Sequence, residues 1–169
     1  MFVVKMPSIL VVCTANICRS PVAAALLRDR LQKRGLADWV VRSAGTWAEE
    51  SVRASRYSVE LAAERGLDIT GHRAEMVNRQ LLKEADLVLC METGHAEALR
   101  VEFPGSADKI YLMSEMVGKK YGISDPYGRS RATYEAMVTE LENIIDAGLD
   151  EIIARAEKTA AQRSSTSPR

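Results

Sequence analysis

The stretch Ile9-Leu10-Val11-Val12-Cys13-Thr14-Ala15-Asn16-Ile17-Cys18-Arg19-Ser20-Pro21 decides the fold. Ile9 to Val12 is a short apolar run that reads as a buried strand. Ser20-Pro21 opens an amphipathic helix, Ser20 being a favoured cap and Pro21 standing at a favoured first position. A strand, a tight loop and a helix start form an anion site, because loop amides and the first helical N–H groups converge on one point. Cys13 stands at the start of that loop and Arg19 at its end. A thiol at the base of an amide-lined pocket closed by a guanidinium suits attack on a phosphorus centre.

Downstream, Ala23, Leu27 and Leu31 recur every fourth residue with Leu26 beside them, and Gly35 stops the helix. Trp39-Val40-Val41 reads as a second strand ending at Ser43-Ala44-Gly45-Thr46, which completes a right-handed βαβ unit. A second helix is expected over Arg56 to Arg65, a polar loop over Leu67 to Val77, and a short helix near Arg79 to Glu84. Asp86 to Met91 is the clearest buried strand, Thr93 is expected to cap a helix over Ala96 to Glu102, and Lys109 to Leu112 forms a fourth strand. Ser114 to Arg129 has no clear period and contains Ser124-Asp125-Pro126-Tyr127-Gly128, and a loop of that length in a compact domain is usually functional. Ser130 opens a long helix whose stripe (Tyr134, Met137, Leu141, Ile145, Leu149, Ile152, Ala156) runs through Gly148 in one register.

Strands alternating with helices predict an α/β fold: a four-stranded parallel sheet with helices on both faces and the phosphate-binding loop after the first strand. Ligands of such sheets bind at the carboxyl ends of the strands, near a topological switch point, which is where the Cys13 loop emerges.

The length of 169 residues, 47% of them hydrophobic, suits one domain with a real core and is too short for two. A single domain over residues 1–158 is expected, followed by a Ser/Thr/Gln/Pro-containing tail over 159–169 that reads as disordered. Lysine plus arginine (23) balance aspartate plus glutamate (23), so there is no electrostatic case for nucleic acid or an anionic membrane. No apolar segment reaches spanning length. Lys5 and Pro7 interrupt the apolar run Phe2 to Val12, which therefore reads as a first strand and not a signal. An odd number of cysteines (Cys13, Cys18, Cys90) argues against a disulfide framework, and the expected location is cytoplasmic. His72 and His95 are too few and too dispersed for a metal site, and no cofactor is implied.

The Cys-x5-Arg-Ser pattern of Cys13 to Ser20, with Asn16, Cys18 and Pro21 matching as well, resembles the low-molecular-weight protein tyrosine phosphatase family. Ser43 to Thr46 and Asp125-Pro126 follow in the family's order, and the likeness covers Ser8 to about Ala156. The resemblance implies hydrolysis of phosphotyrosine or another aryl phosphate monoester through a cysteinyl-phosphate, with inorganic phosphate as product. Cys13 would be the nucleophile and Asp125 the general acid that later activates water. Arg19 would hold the phosphoryl group with the amides of Thr14, Ala15, Asn16, Ile17, Cys18 and Ser20. Ser20 would also donate to the sulfur. Asn16, Ser43 and His72 would form a supporting hydrogen-bond network, and Ile17, Trp47 and Tyr127 the walls of an aromatic slot. Expected partners are a phosphotyrosine protein or small aryl phosphate, with the chain a monomer or weak dimer.

Ala15 stands where the family has Gly, so strain or reshaping of the loop is expected there. Cys18 is expected to lie near Cys13 and to serve as a resolving thiol under peroxide. Three rivals share these residues. A thiol-dependent arsenate reductase would need further relay cysteines, and only Cys90, in a buried strand, is on offer. A non-catalytic phosphate-binding module would have lost Cys, Arg or Asp. An arginine-phosphate phosphatase would carry Thr where this chain has Ile17.

Overall fold

The computed structural model describes residues 5–166. Four strands, β1 (Ser8–Cys13), β2 (Val40–Gly45), β3 (Leu87–Cys90) and β4 (Ile110–Leu112), form one sheet in the order β2-β1-β3-β4. Every pairing is parallel, with Val12 opposite Ala44 on one side and Cys90 on the other. The α/β expectation therefore holds. Residues 2–4 of the apolar N-terminal run lie outside the described residues, and the strand itself starts at Ser8.

The strand β1 is buried along its whole length, and its side chains alternate between two cores. Ile9, Val11 and Cys13 face the larger one, built with α1 (Arg19–Lys33), α2 (Arg56–Glu64) and α5 (Arg131–Thr166). Leu10 and Val12 face the smaller one, built with α3 (Arg79–Glu84) and α4 (Thr93–Glu102). The chain leaves β1 toward β2 on one side and returns to β3 on the other. The carboxyl end of β1 is thus the switch point of the sheet, and the Cys13 loop occupies it.

Three local expectations need correcting. Helix α1 begins at Arg19, so Ser20 lies inside the first turn and its hydroxyl turns to the loop instead of capping the helix. Helix α4 begins at Thr93 with Glu92, not Thr93, at the cap position. The expected disordered tail over 159–169 is helical to Thr166, residues 167–169 lying outside the described ones. The polar composition misled because tertiary contact decides there: Arg163 reaches back to Asp86, a carboxylate that is 1% exposed, through Nε (2.9 Å) and Nη2 (2.8 Å). Asp86 in turn accepts the amide of Ser8 (2.9 Å), tying the helix end to the start of β1.

The stripe of α5 from Tyr134 to Ala156 is buried as one continuous face. Gly148 interrupts no turn. It lets the helix press onto the 3-10 helix Met113–Val117, because a Cβ there would lie 2.9 Å from the Met116 carbonyl oxygen. Among the described residues no helix is long and apolar enough to cross a membrane.

Candidate active site

Cys13 is the last residue of β1 and is 2% exposed. Beyond it the chain turns so tightly that the Asn16 amide donates back to its Sγ (3.3 Å). The turn places Asn16 in the left-handed region (φ 59°), which asparagine tolerates better than most residues. Ala15 has no positive φ, so the strain expected at Ala15 is absent and the unusual backbone angle belongs to its neighbour.

The Asn16 side chain is fully used. Its Nδ2 donates to Ser20 Oγ (2.8 Å) and Ser43 Oγ (2.9 Å), while Oδ1 accepts the Glu75 amide (2.9 Å). Its carbonyl accepts from His72 Nε2 (2.7 Å). The structure thus brings Asn16, Ser43 and His72 together from three separate segments. Burial pushes the His72 pKa down, which favours the neutral ring. Ser20 Oγ lies 3.0 Å from Cys13 Sγ and accepts from Asn16 Nδ2, which leaves its own hydrogen available to the sulfur.

The loop is braced from outside as well. Thr46 and Trp47 amides donate to the carbonyls of Cys13 and Thr14, and the Ser55 amide to that of Ile17. With the carbonyls of Cys13, Thr14, Asn16 and Ile17 bound outward, the loop leaves the amides of Ala15, Ile17 and Cys18 without a protein acceptor among the described residues. Such a set of inward N–H groups at a helix start is an anion cradle.

Arg19 closes the loop and is 1% exposed. Its Nη1 is committed to Glu92 Oε2 (2.9 Å) and the Ile123 carbonyl (2.6 Å). Its Nη2 reaches Thr14 Oγ1 (3.3 Å), and Nε is buried with no partner. The Nε–Nη2 edge is therefore the side left for a bidentate pair with an oxyanion.

Asp125 arrives through Ile123, which is fully buried and held from both sides: its amide donates to Met91 (2.8 Å) and its carbonyl accepts Arg19. Asp125 Oδ2 lies 3.8 Å from Arg19 Nη2, and Oδ1 accepts the Tyr127 amide in a turn that Pro126 continues. Cys13, Arg19 and Asp125 line one cavity of about 510 Å³ together with Thr14, Ala15, Ile17 and Cys18. Trp47 and Tyr127, 81% and 66% exposed, stand at its mouth, joined by Met76 and Val52, which the sequence did not single out.

The residues that match and their spacing extend over nearly the whole chain. The sequence profile described as "Low molecular weight phosphotyrosine protein phosphatase" matches residues 8–159. The chain belongs to this family. The probable low molecular weight protein-tyrosine-phosphatase EpsP of Ralstonia nicotianae (strain ATCC BAA-1114 / GMI1000) is 35% identical over 147 residues, which are 87% of this chain and 97% of that protein. A protein-arginine-phosphatase of Geobacillus stearothermophilus is 37% identical over 139 residues, covering 82% and 90% of the two chains. Among solved structures, the low molecular weight protein tyrosine phosphatase from T. tengcongensis superposes with a TM-score of 0.81 at 38% identity, over 87% of this chain and 99% of that one.

In this low-molecular-weight phosphatase the sequence reading missed the groups behind Arg19 and the loop. Glu92 and His95 follow β3: His95 Nε2 lies 2.8 Å from Thr14 Oγ1, and His95 Nδ1 accepts the Glu92 amide (3.2 Å). Tyr134 and Ser55 flank Cys18, each with its oxygen 3.4 Å from Cys18 Sγ. Both Cys13 and Cys18 are free thiols, and burial pushes the Cys18 pKa up.

Proposed function

We propose that this phosphatase hydrolyses phosphotyrosine and related aryl phosphate monoesters in two steps. The observation that carries the reading is the convergence of the Cys13 thiol, the Nε–Nη2 edge of Arg19 and the Asp125 carboxyl on one cavity. In the first step Cys13 Sγ attacks as the thiolate, the nucleophilic form of a cysteine, and its bond to phosphorus forms while the bond from phosphorus to the phenolic oxygen breaks. Asp125 gives its proton to that oxygen, so a phenol leaves instead of a phenolate. Loop amides and Arg19 stabilise the equatorial oxygens where charge accumulates. In the second step Asp125, now a carboxylate, takes a proton from water, whose oxygen attacks phosphorus. The S–P bond breaks, inorganic phosphate forms, and the leaving sulfur receives the Ser20 hydrogen bond.

Substrate preference follows from the walls. Trp47, Tyr127 and Ile17 offer faces for a phenyl ring, and the exposed aromatic pair suits a side chain presented on a protein surface. The arginine-phosphatase relatives make phosphoarginine the second reading. A phosphoguanidinium brings N–H donors that need acceptors, and Ile17 supplies none, so the aromatic ester is preferred. Arsenate reduction is disfavoured. Its relay would fall to Cys90, which is fully buried in β3 with its thiol pushed up to about 12.

The test is hydrolysis of p-nitrophenyl phosphate in EDTA by the parent and by Cys13→Ser, followed by competition between a phosphotyrosine and a phosphoarginine peptide. Activity confined to the parent and inhibited more strongly by phosphotyrosine is expected. An inactive reduced parent would overturn the catalytic reading, and stronger inhibition by phosphoarginine would overturn the assignment of substrate.

A further inference from the structure

Thr14 is the first residue of the loop and lines the cavity with Cys13, Arg19 and Asp125. Its hydroxyl oxygen receives two donors. One is Arg19 Nη2 at 3.3 Å. The other is His95, at 2.8 Å, and the direction of that bond is fixed by the far side of the ring. His95 Nδ1 accepts the backbone N–H of Glu92, so in the neutral ring the hydrogen resides on Nε2, which donates to Thr14 Oγ1. The ring is 7% exposed and sits at the third position of α4, where it takes the part usually played by Glu or Gln in a capping box.

A hydroxyl oxygen has two lone pairs and one hydrogen. With Arg19 and His95 occupying both lone pairs, the Thr14 hydrogen has no direction left but outward, and no acceptor among the described residues takes it. Outward is the cavity. We propose that His95 is a positioning residue which fixes the Thr14 hydroxyl as a hydrogen-bond donor to a non-bridging phosphoryl oxygen. The cradle would then consist of amides, the Arg19 edge and one side-chain donor whose orientation is set before substrate arrives. Without His95, the hydroxyl is free to rotate its hydrogen away, and the preorganisation is lost. The inference rests on the phosphatase reading for its kinetic arm only, since phosphate binding measures the same donor without turnover.

Two measurements test it. Calorimetric titration of inorganic phosphate into the reduced protein is expected to show about tenfold weaker binding in Thr14→Val, with Thr14→Ser near the parent. For p-nitrophenyl phosphate, Thr14→Val and His95→Leu are each expected to lower kcat/KM about tenfold. His95→Leu added to the Thr14→Val background is expected to cost less than about twofold more, because the histidine acts through the hydroxyl. His95→Gln, which keeps a donor near Nε2, is expected to recover part of the loss seen with His95→Leu. Parent-like phosphate affinity in Thr14→Val would overturn the proposal, as would a full additional loss from His95→Leu in that background. If His95→Leu fails to fold, the Thr14→Val and Thr14→Ser pair decides by itself. A parent that binds phosphate but hydrolyses nothing would sink the phosphatase reading and leave the binding arm to judge the hydroxyl.

Discussion

Gly45, at the end of β2, is the position where the smallest change should do the most damage. The Cβ of an alanine there would lie 2.3 Å from the Thr14 carbonyl oxygen and 3.0 Å from both the Asn16 nitrogen and the Ala48 Cβ. A carbon–oxygen contact normally settles at about 3.3–3.6 Å, so the loop must withdraw by roughly 1 Å. It has nowhere easy to go. The Thr14 carbonyl is already held by the Trp47 amide, Gly45 is itself pinned between the Glu75 carbonyl and the Val77 amide, and Asn16 is bonded on every polar atom of its side chain. A displacement of about 1 Å in a positioned catalytic group can cost on the order of 100-fold, so kcat/KM of Gly45→Ala should fall by about that factor. The overpacking itself should cost about 1–3 kcal/mol of stability, small enough to leave the protein folded at room temperature. The assay is p-nitrophenyl phosphate hydrolysis paired with urea denaturation, using Gly105→Ala as control, since nothing lies within 4 Å of a Cβ there. Activity in Gly45→Ala within about threefold of the parent would refute the claim that the loop rests on this glycine.

Glu92→Gln keeps the shape of the group that holds Arg19 Nη1 but removes its charge, and kcat should fall about tenfold with KM little changed. An unchanged kcat would mean that the Ile123 carbonyl alone orients the guanidinium. Burial depresses the pKa of both His72 and His95, so keeping them neutral stabilises the fold fully above about pH 6.5. That contribution is lost as pH falls below this value toward the depressed ones, and urea denaturation between about pH 7.5 and 5 should show it, with a flatter profile in His72→Asn. An identical profile in the variant would remove His72 as a source of the effect. Arg163→Gln leaves the Asp86 carboxylate buried with the Ser8 amide, which should cost about 2 kcal/mol once the partial exposure of Arg163 is allowed for. Hydrolysis of p-nitrophenyl phosphate should stay at the parent rate, and unchanged stability would show that the ion pair with Asp86 does not hold the helix end.

What the sequence made legible was whatever is local in the chain. The apolar run before Cys13, the fourfold spacing after Pro21 and the buried strand at Leu87 each declare an element within a few residues, and the alternation of elements then dictates the parallel sheet. The Asp125 loop was visible as a long aperiodic segment, although its first residues form a 3-10 helix. Two errors have physical causes. Ala15 drew suspicion because glycine is the usual sign of a left-handed angle, yet asparagine bears that angle here and uses its side chain to lock it. The tail looked disordered because its composition is polar, but the buried carboxylate that Arg163 pairs with lies 77 positions away in sequence, where no local pattern could reveal it.

Glu92 and His95 are a different case, because topology alone could have found them. A parallel sheet sends the carboxyl ends of all its strands to one edge, and neighbouring strands lie about 4.8 Å apart. Since β3 pairs directly with β1, the first polar side chains after β3 must emerge beside the Cys13 loop. Strand β4 lies one place further out, and the corresponding residue after it, Ser114, bonds Tyr121 instead of anything in the site. Strand order therefore separates the acid that steadies Arg19 from the many surface acids of similar appearance. A sequence carrying Glu-x-x-His immediately after the strand that neighbours the phosphate loop should hold its loop hydroxyl or guanidinium in the same way. One with the pair after the outer strand should not.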